Sequence, residues 1–251
     1  ALAVERLGLA GAAPWMGIAF FLGIVPVTVL VLRASPKSMG LEADGVSEAQ
    51  AAANLAAGPA TRYAEAWRSG FFIAISIAYL FLLGAQVGAI THIYRLASTR
   101  DGVATAALAL AVMASCSTIG RLLGGWLLLG VAVRTFALGL MLVQAASLAW
   151  LALAEGRTMI LAGVVSFGLT IGNSLMMHPL LLAERFGTRD YGRIYSASQF
   201  ITMVGYASCP ALIGLMYEAS GGYAVPFLTM AGVTLAGFAV LVAFSAPHRQ
   251  G

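Results

Sequence analysis

At 251 residues, the chain is 60% hydrophobic and only 10% charged, whereas a soluble domain carries about 25% charged residues. With a mean hydropathy of +0.90, this composition excludes a disordered chain, a coiled coil and most soluble enzymes. The net charge of +4 comes from 14 basic and 10 acidic residues, but the arginines stand singly between apolar stretches, so no basic run exists to follow a nucleic-acid backbone.

Seven apolar segments follow in chain order: 13–32, 70–91, 103–122, 133–153, 158–181, 194–216 and 223–244. Each is long enough to cross about 30 Å of hydrocarbon as a helix. Strands are excluded because their backbone groups would go unpaired in lipid. The expectation is an all-α, multi-pass membrane protein. Nothing ahead of the first segment has the form of a signal peptide, and a sequence that opens on Ala1 reads as starting within a larger protein. Residues 34–69 make the one long polar connection. Within it, Ser47-Glu48-Ala49-Gln50 has the capping-box form and an Ala-rich stretch runs to Gly58-Pro59, which predicts a short interfacial helix. Residues 61–68 lead into the second span and set Trp67 at interface depth. Cys116 and Cys209 fall inside apolar segments and read as small buried hydrophobes, without disulfide or metal-ligand spacing. No metal or cofactor is expected.

Arginine placement orients the helices. With the N-terminus outside, Arg33, Lys37, Arg62, Arg68, Arg121, Arg134, Arg185, Arg189, Arg193 and Arg249 fall inside, against Arg6, Arg95, Arg100 and Arg157 outside. That bias predicts a cytoplasmic long loop and C-terminus in the cell (inner) membrane.

Punctuation between the spans carries a resemblance. Arg33-Ala-Ser-Pro36-Lys-Ser-Met-Gly40-Leu41-Glu-Ala-Asp44-Gly45 resembles the segment after helix six in transporters of the major facilitator superfamily, especially bacterial monocarboxylate-transporter-like members. Gly120-Arg121-Leu-Leu-Gly124-Gly125-Trp126, ending at Arg134, resembles the superfamily's cytoplasmic motif between helices eight and nine. Ala183-Glu184-Arg185-Phe186-Gly187 and Gly192-Arg193-Ile-Tyr195 are similar to the loop between helices ten and eleven. The run from Pro210 through Gly214, Tyr217, Glu218 and Gly221 to Tyr223 is similar to the end of helix eleven and the turn into helix twelve. In order and spacing the matches cover residues 5–245. They imply helix six in residues 1–33, the central loop in 34–69 and the C-terminal six-helix half in 70–251. The first five helices of a twelve-helix, two-half fold would be missing.

Three departures qualify the match. Leu129 stands where the superfamily commonly has an aspartate after helix eight, and Ser117 stands where monocarboxylate-type relatives often have an acid. Residues 194–216 hold no basic residue, which speaks against oxalate as substrate.

The resemblance implies a cytoplasmic gate motif at Gly120, Arg121, Gly124, Gly125 and Arg134, with Arg121 contacting a carboxylate of the missing half. A snorkelling arginine is the structural alternative, and direct contact with an anionic substrate is a third reading. Because helices seven and ten line the superfamily's cavity, Tyr79, Gln86 and Asn173 become candidate substrate-binding residues, with Tyr206 and Gln199 on helix eleven behind them. Amides inside spans must in any case pair with a neighbour, so interhelical bonding is the alternative for each. Gln144, on the peripheral ninth helix, is expected to serve packing alone. His178, beside Pro179, is a candidate proton relay by its ordinary pKa of about 6.5. Gly120 and Gly124, and then Gly163, Gly168 and Gly172 on the tenth segment, are expected to allow close helix approach.

The function implied is the C-terminal part of a secondary active transporter that moves a small organic solute, with an organic anion plausible, by alternating access. Its partners would be the solute, membrane lipid and the missing half; residues 1–251 alone are not expected to transport. A half-transporter working as a dimer is the alternative. No Gly-x-x-x-x-Gly-Lys-Ser/Thr run supports ATP use. A retinal receptor would need a lysine within a span, and Lys37 lies in a loop. No hydrolase or metalloprotease motif points to an enzyme.

Overall fold

The computed structural model describes residues 2–31 and 61–244, and among these no strand occurs. Two compact units are present, Ala1–Ala57 and Gly58–Gly251. The first contains α1 (Leu2–Val31), which carries Pro14 and Pro26 and breaks at Gly8, where φ is 69°. The stretch from Ala13 to Leu30 is apolar enough to span a membrane, matching the first predicted segment. The helix expected around Ser47–Gln50 and its Gly58-Pro59 stop lie outside the described residues.

The second unit opens on a short helix, α2 (Tyr63–Trp67). Six long helices follow: α3 (Gly70–Asp101), α4 (Val103–Leu127), α5 (Val133–Leu153), α6 (Gly156–Phe186), α7 (Tyr191–Ser220) and α8 (Ala224–Phe244). With α1, seven helices among the described residues are long and apolar enough to cross a membrane. Large apolar side chains remain open on the flanks, as at Phe200 (78% exposed), Leu122 (74%) and Leu129 (85%). Such a surface is stable only against lipid or a partner.

Several helices outrun their predicted segments. The second predicted segment ends at residue 91, yet α3 continues to Asp101; at about 1.5 Å per residue it is some 48 Å long, well beyond the hydrocarbon thickness. The extension is held by polar contacts that hydropathy does not register. Arg95 lies over the Tyr217 ring at 5.0 Å. Arg100 donates to the carbonyls of Leu151, Ala152 and Ala154 at 2.7–2.8 Å, closing the C-terminal end of α5. α4, α6 and α7 likewise extend past residues 122, 181 and 216. A single residue, Gly102, joins α3 to α4; its φ of 95° turns the chain where L side chains rarely go.

α2 fastens the arginine-rich end of the bundle. The Tyr63 N–H donates to Asp190 Oδ2 at 2.9 Å and the Thr61 N–H to the Phe186 carbonyl at 3.2 Å. Ser69 caps α3 by accepting from the Phe72 N–H at 3.2 Å. Trp67, 46% exposed, packs its ring 5.2 Å from that of Phe72.

α3 is the central helix, packing on α7 and α8 most extensively and also on α4 and α6. Its most apolar window is 67% buried, against 22–33% for α4, α7 and α8. Two apolar clusters result. One, around Phe72, Ile75, Leu82, Met141, Leu182 and Ile194, fills the arginine-rich end. The other, around Ile93, Leu96, Leu148, Phe167, Ile213 and Phe227, fills the opposite end.

Helix approach is set by glycine. A Cβ on Gly84 would lie 3.0 Å from Gly205 Cα and 2.9 Å from Cys209 Sγ, so α3 and α7 meet almost backbone to backbone. Between α4 and α6, a Cβ on Gly120 would strike the Leu169 carbonyl and one on Gly124 the Asn173 amide. The three glycines of α6 do not share one neighbour, however. Gly168 and Gly172 face Cys116 and Arg121 of α4, whereas Gly163 faces Trp150 and Leu151 of α5. A five-residue step from Gly163 to Gly168 overshoots the 3.6-residue turn and rotates the contact to another helix. Cys209 is buried as expected; Cys116 is only half-buried, which corrects its reading as a core residue.

Candidate functional site

Buried polar groups gather where α3, α6 and α7 meet. His178 on α6 is 1% exposed and sits one helical turn after Ser174, which is fully buried. The imidazole stacks on Tyr79 of α3 and meets Tyr195 of α7 at 5.7 Å. Gln199 of α7 lies beside His178 and beside Tyr206.

The hydrogen bonds here have a direction. The Ser76 hydroxyl donates to the Phe72 carbonyl at 2.7 Å. Its single hydrogen is thereby used, so at the 2.8 Å contact with Ser198 it must accept. Ser198 spends its own hydrogen on Ser76, so at its 2.8 Å contact with His178 the imidazole Nε2 must donate. The chain therefore selects the Nε2–H tautomer and leaves Nδ1 as an acceptor. That Nδ1 is buried without a partner, as are the Tyr79 hydroxyl, Ser174 Oγ and Gln199 Oε1. Most buried polar atoms in proteins are paired. These four atoms come from three helices, Tyr79 from α3, Ser174 and His178 from α6, and Gln199 from α7.

Other sequence-derived candidates lie elsewhere. Gln86 donates from Nε2 to Gln144 Oε1 at 2.8 Å, and Gln144 donates to the Leu82 carbonyl at 2.9 Å. Both amides are buried, and they bond across the α3–α5 contact. Asn173 turns away from His178 toward α4, where its Nδ2 donates to the Gly120 carbonyl at 2.7 Å and the Leu169 carbonyl at 3.2 Å. Of the four candidate binding residues, the structure thus brings Tyr79 and Tyr206 to the cluster and gives Gln86 and Asn173 packing bonds.

Within the gate motif, Gly120 and Gly124 are buried contact points and Gly125 faces open space. The Arg121 stem crosses Gly172 while the residue as a whole is exposed, a geometry open both to snorkelling and to an ionic partner. Arg134 is half-buried in the first turn of α5, with its Nε buried and unpaired.

Sequence reading missed Ser76, Ser174, Tyr195 and Ser198. A signal was available on α7, where Tyr191, Tyr195, Ser198 and Thr202 recur at helical spacing as one polar stripe. His92 was also passed over. Its ring nitrogens contact the Tyr223 hydroxyl at 3.3 Å and the Pro210 carbonyl at 3.1 Å, pinning α3 to the proline-containing helix α7.

Helix order, length and packing together define a multi-pass helical membrane domain. A variant of the E. coli fucose:proton symporter FucP has a similar structure, with a TM-score of 0.65 and 19% identity over 93% of this chain and 55% of that chain. FucP in its outward conformation, a major facilitator superfamily transporter, gives a TM-score of 0.63 and 20% identity over 96% and 56% of the respective chains. The chain thus has the all-α fold of major facilitator transporters and spans about 55% of the length of these solved ones. No protein-family model matches the sequence, and neither does any curated protein.

Proposed function

We propose that this chain is the C-terminal part of a secondary active transporter that carries a small organic solute by alternating access. On this reading α1 is helix six, α3–α8 are helices seven to twelve, and a second half of the same transporter faces the bundle across the solute path. The cell inner membrane is its site of action, with the arginine-rich end in the cytoplasm.

The observation that carries the reading is the cluster of Tyr79, Ser174, His178 and Gln199. A hydroxyl donor and several uncharged acceptors held without partners suit a solute that brings its own hydroxyl groups. His178, with a free Nδ1, is positioned to take a proton there. A second reading, an organic anion handled as in monocarboxylate-type carriers, is favoured by the exposure of Arg121 on α4.

Uptake into proteoliposomes by the protein expressed from its native reading frame tests both. A panel of polyols, sugars and small monocarboxylates is offered as competitors. Polyol or sugar competition lost in His178→Ala and Tyr79→Phe supports the first reading, and carboxylate competition lost in Arg121→Gln supports the second. Undiminished uptake in the Tyr79→Phe/His178→Ala/Gln199→Ala triple variant removes the cluster from the solute path.

A further inference from the structure

On the reading of the His178 cluster as part of the solute path, we infer that Ser76 of α3 and Ser198 of α7 are its positioning residues. By holding the His178 proton on Nε2 they keep Nδ1 a bare acceptor, and so select a solute that donates a hydroxyl hydrogen there.

Neither serine has to touch the solute to do this. The contacts are rooted in the Phe72 backbone carbonyl, which can only accept. Each hydroxyl carries one hydrogen, so the polarity fixed at Phe72 passes through Ser76 and Ser198 to the imidazole. Both serines are fully buried, which shields that order from bulk water. The other ring nitrogen, Nδ1, is buried without a partner, and Oε1 of the adjacent Gln199 is also unpaired. Two acceptors left open in this way lack a donor. In the opposite tautomer Nδ1 would itself become a donor, with Gln199 beside the ring to receive it, and this edge of the cluster would need no guest. The serine chain keeps the edge open. Tyr195, Gln199 and Tyr206 are only partly buried, so the cluster is not sealed on the α7 side.

Nitrogen NMR of histidine-labelled protein in lipid, expressed from its native reading frame, reads the tautomer directly; loss of signals in His178→Gln assigns the residue. The unmodified protein is expected to show a pyridine-type Nδ1 and a pyrrole-type Nε2 at His178. Ser198→Ala removes the acceptor of the Nε2–H. Ser76→Ala leaves Ser198 in place but frees its hydrogen to turn onto Nε2. Each variant should move the proton to Nδ1. Uptake is then compared between the hexose or polyol that competes best in the panel above and its monodeoxyfluoro analogues, in which fluorine cannot donate. The unmodified protein should disfavour one fluoro analogue by about fivefold, as loss of one hydrogen bond implies, and both serine variants should lose that discrimination. A pyrrole-type Nδ1 in the unmodified protein, or a tautomer unchanged in both serine variants, overturns the positioning role. Discrimination that survives a changed tautomer overturns the selection. Failure of the solute-path reading itself looks different: the Tyr79→Phe/His178→Ala/Gln199→Ala triple variant then takes up solute undiminished, while the tautomer in the His178-containing proteins still follows the serines.

Discussion

His178 on α6 lies flat against Tyr79 on α3, with ring centroids 4.5 Å apart and planes 14° from parallel. The stack is one contact between α3 and α6, and it leaves a phenol hydroxyl and an imidazole nitrogen buried and unpaired. Stacking satisfies the ring faces and not the polar edges. The pair is therefore satisfied as packing and unsatisfied in its polar edges.

Tyr79→Phe separates the two aspects. An unpaired buried hydroxyl costs about 1–3 kcal/mol, so its removal is expected to raise stability by about 1 kcal/mol while the ring stack persists. Thermal unfolding in detergent reads the first effect. Solute uptake should fall in the same variant, because the hydroxyl is lost from the cluster. A variant both less stable and fully active would show that the hydroxyl is paired and plays no part in transport.

Gln86 and Gln144 form a hydrogen-bonded pair across α3 and α5. A double-mutant cycle with Gln86→Leu and Gln144→Leu should return a coupling of about 0.6 kcal/mol, the average for such bonds inside membranes. The affinity for solute, read as the KM of uptake in Gln86→Leu, should stay unchanged. A raised KM without any stability coupling would return Gln86 to the cavity.

Gly124 and Gly125 are adjacent and predict opposite outcomes. A Cβ at Gly124 runs into the Asn173 amide, whereas one at Gly125 meets nothing within 4 Å. Gly125→Ala should be neutral or gain up to about 1 kcal/mol from helix propensity. Gly124→Val should separate α4 from α6 and cost about 1–3 kcal/mol through overpacking. Yield and melting temperature of the two variants, purified side by side, check the contrast.

Arg100 holds the end of α5 through three carbonyls. Arg100→Met keeps the aliphatic stem but strands those acceptors, and a charged hydrogen bond contributes about 1.5–3 kcal/mol. The expected result is a loss of that order, with hydrogen exchange quickening first around residues 150–154. Uniform exchange across the bundle would place the effect elsewhere.

Legibility differed by kind of feature. The helices themselves were readable, because seven stretches of apolar residues in lipid admit no other backbone solution. Their ends were less so: α3 continues ten residues past its apolar run because Arg95 and Arg100 find partners that are distant in sequence. Tyr79, His178 and Tyr206 could be named as polar groups inside spans, yet nothing local showed that they meet while Asn173 turns to α4. Ser76 and Ser198 looked like ordinary helix serines until 122 positions of chain separation closed to 2.8 Å.

Composition and segment length alone thus determined the class, an all-α protein that crosses a membrane repeatedly. In hydrocarbon each helix closes its own backbone bonds, so hydropathy suffices to specify the elements. Which side chains share a space was decided only by the packed bundle. That outcome depends on how each helix is rotated and how near its neighbour comes, and contacts such as Gly84 on Gly205 and Gly120 on Leu169 set both.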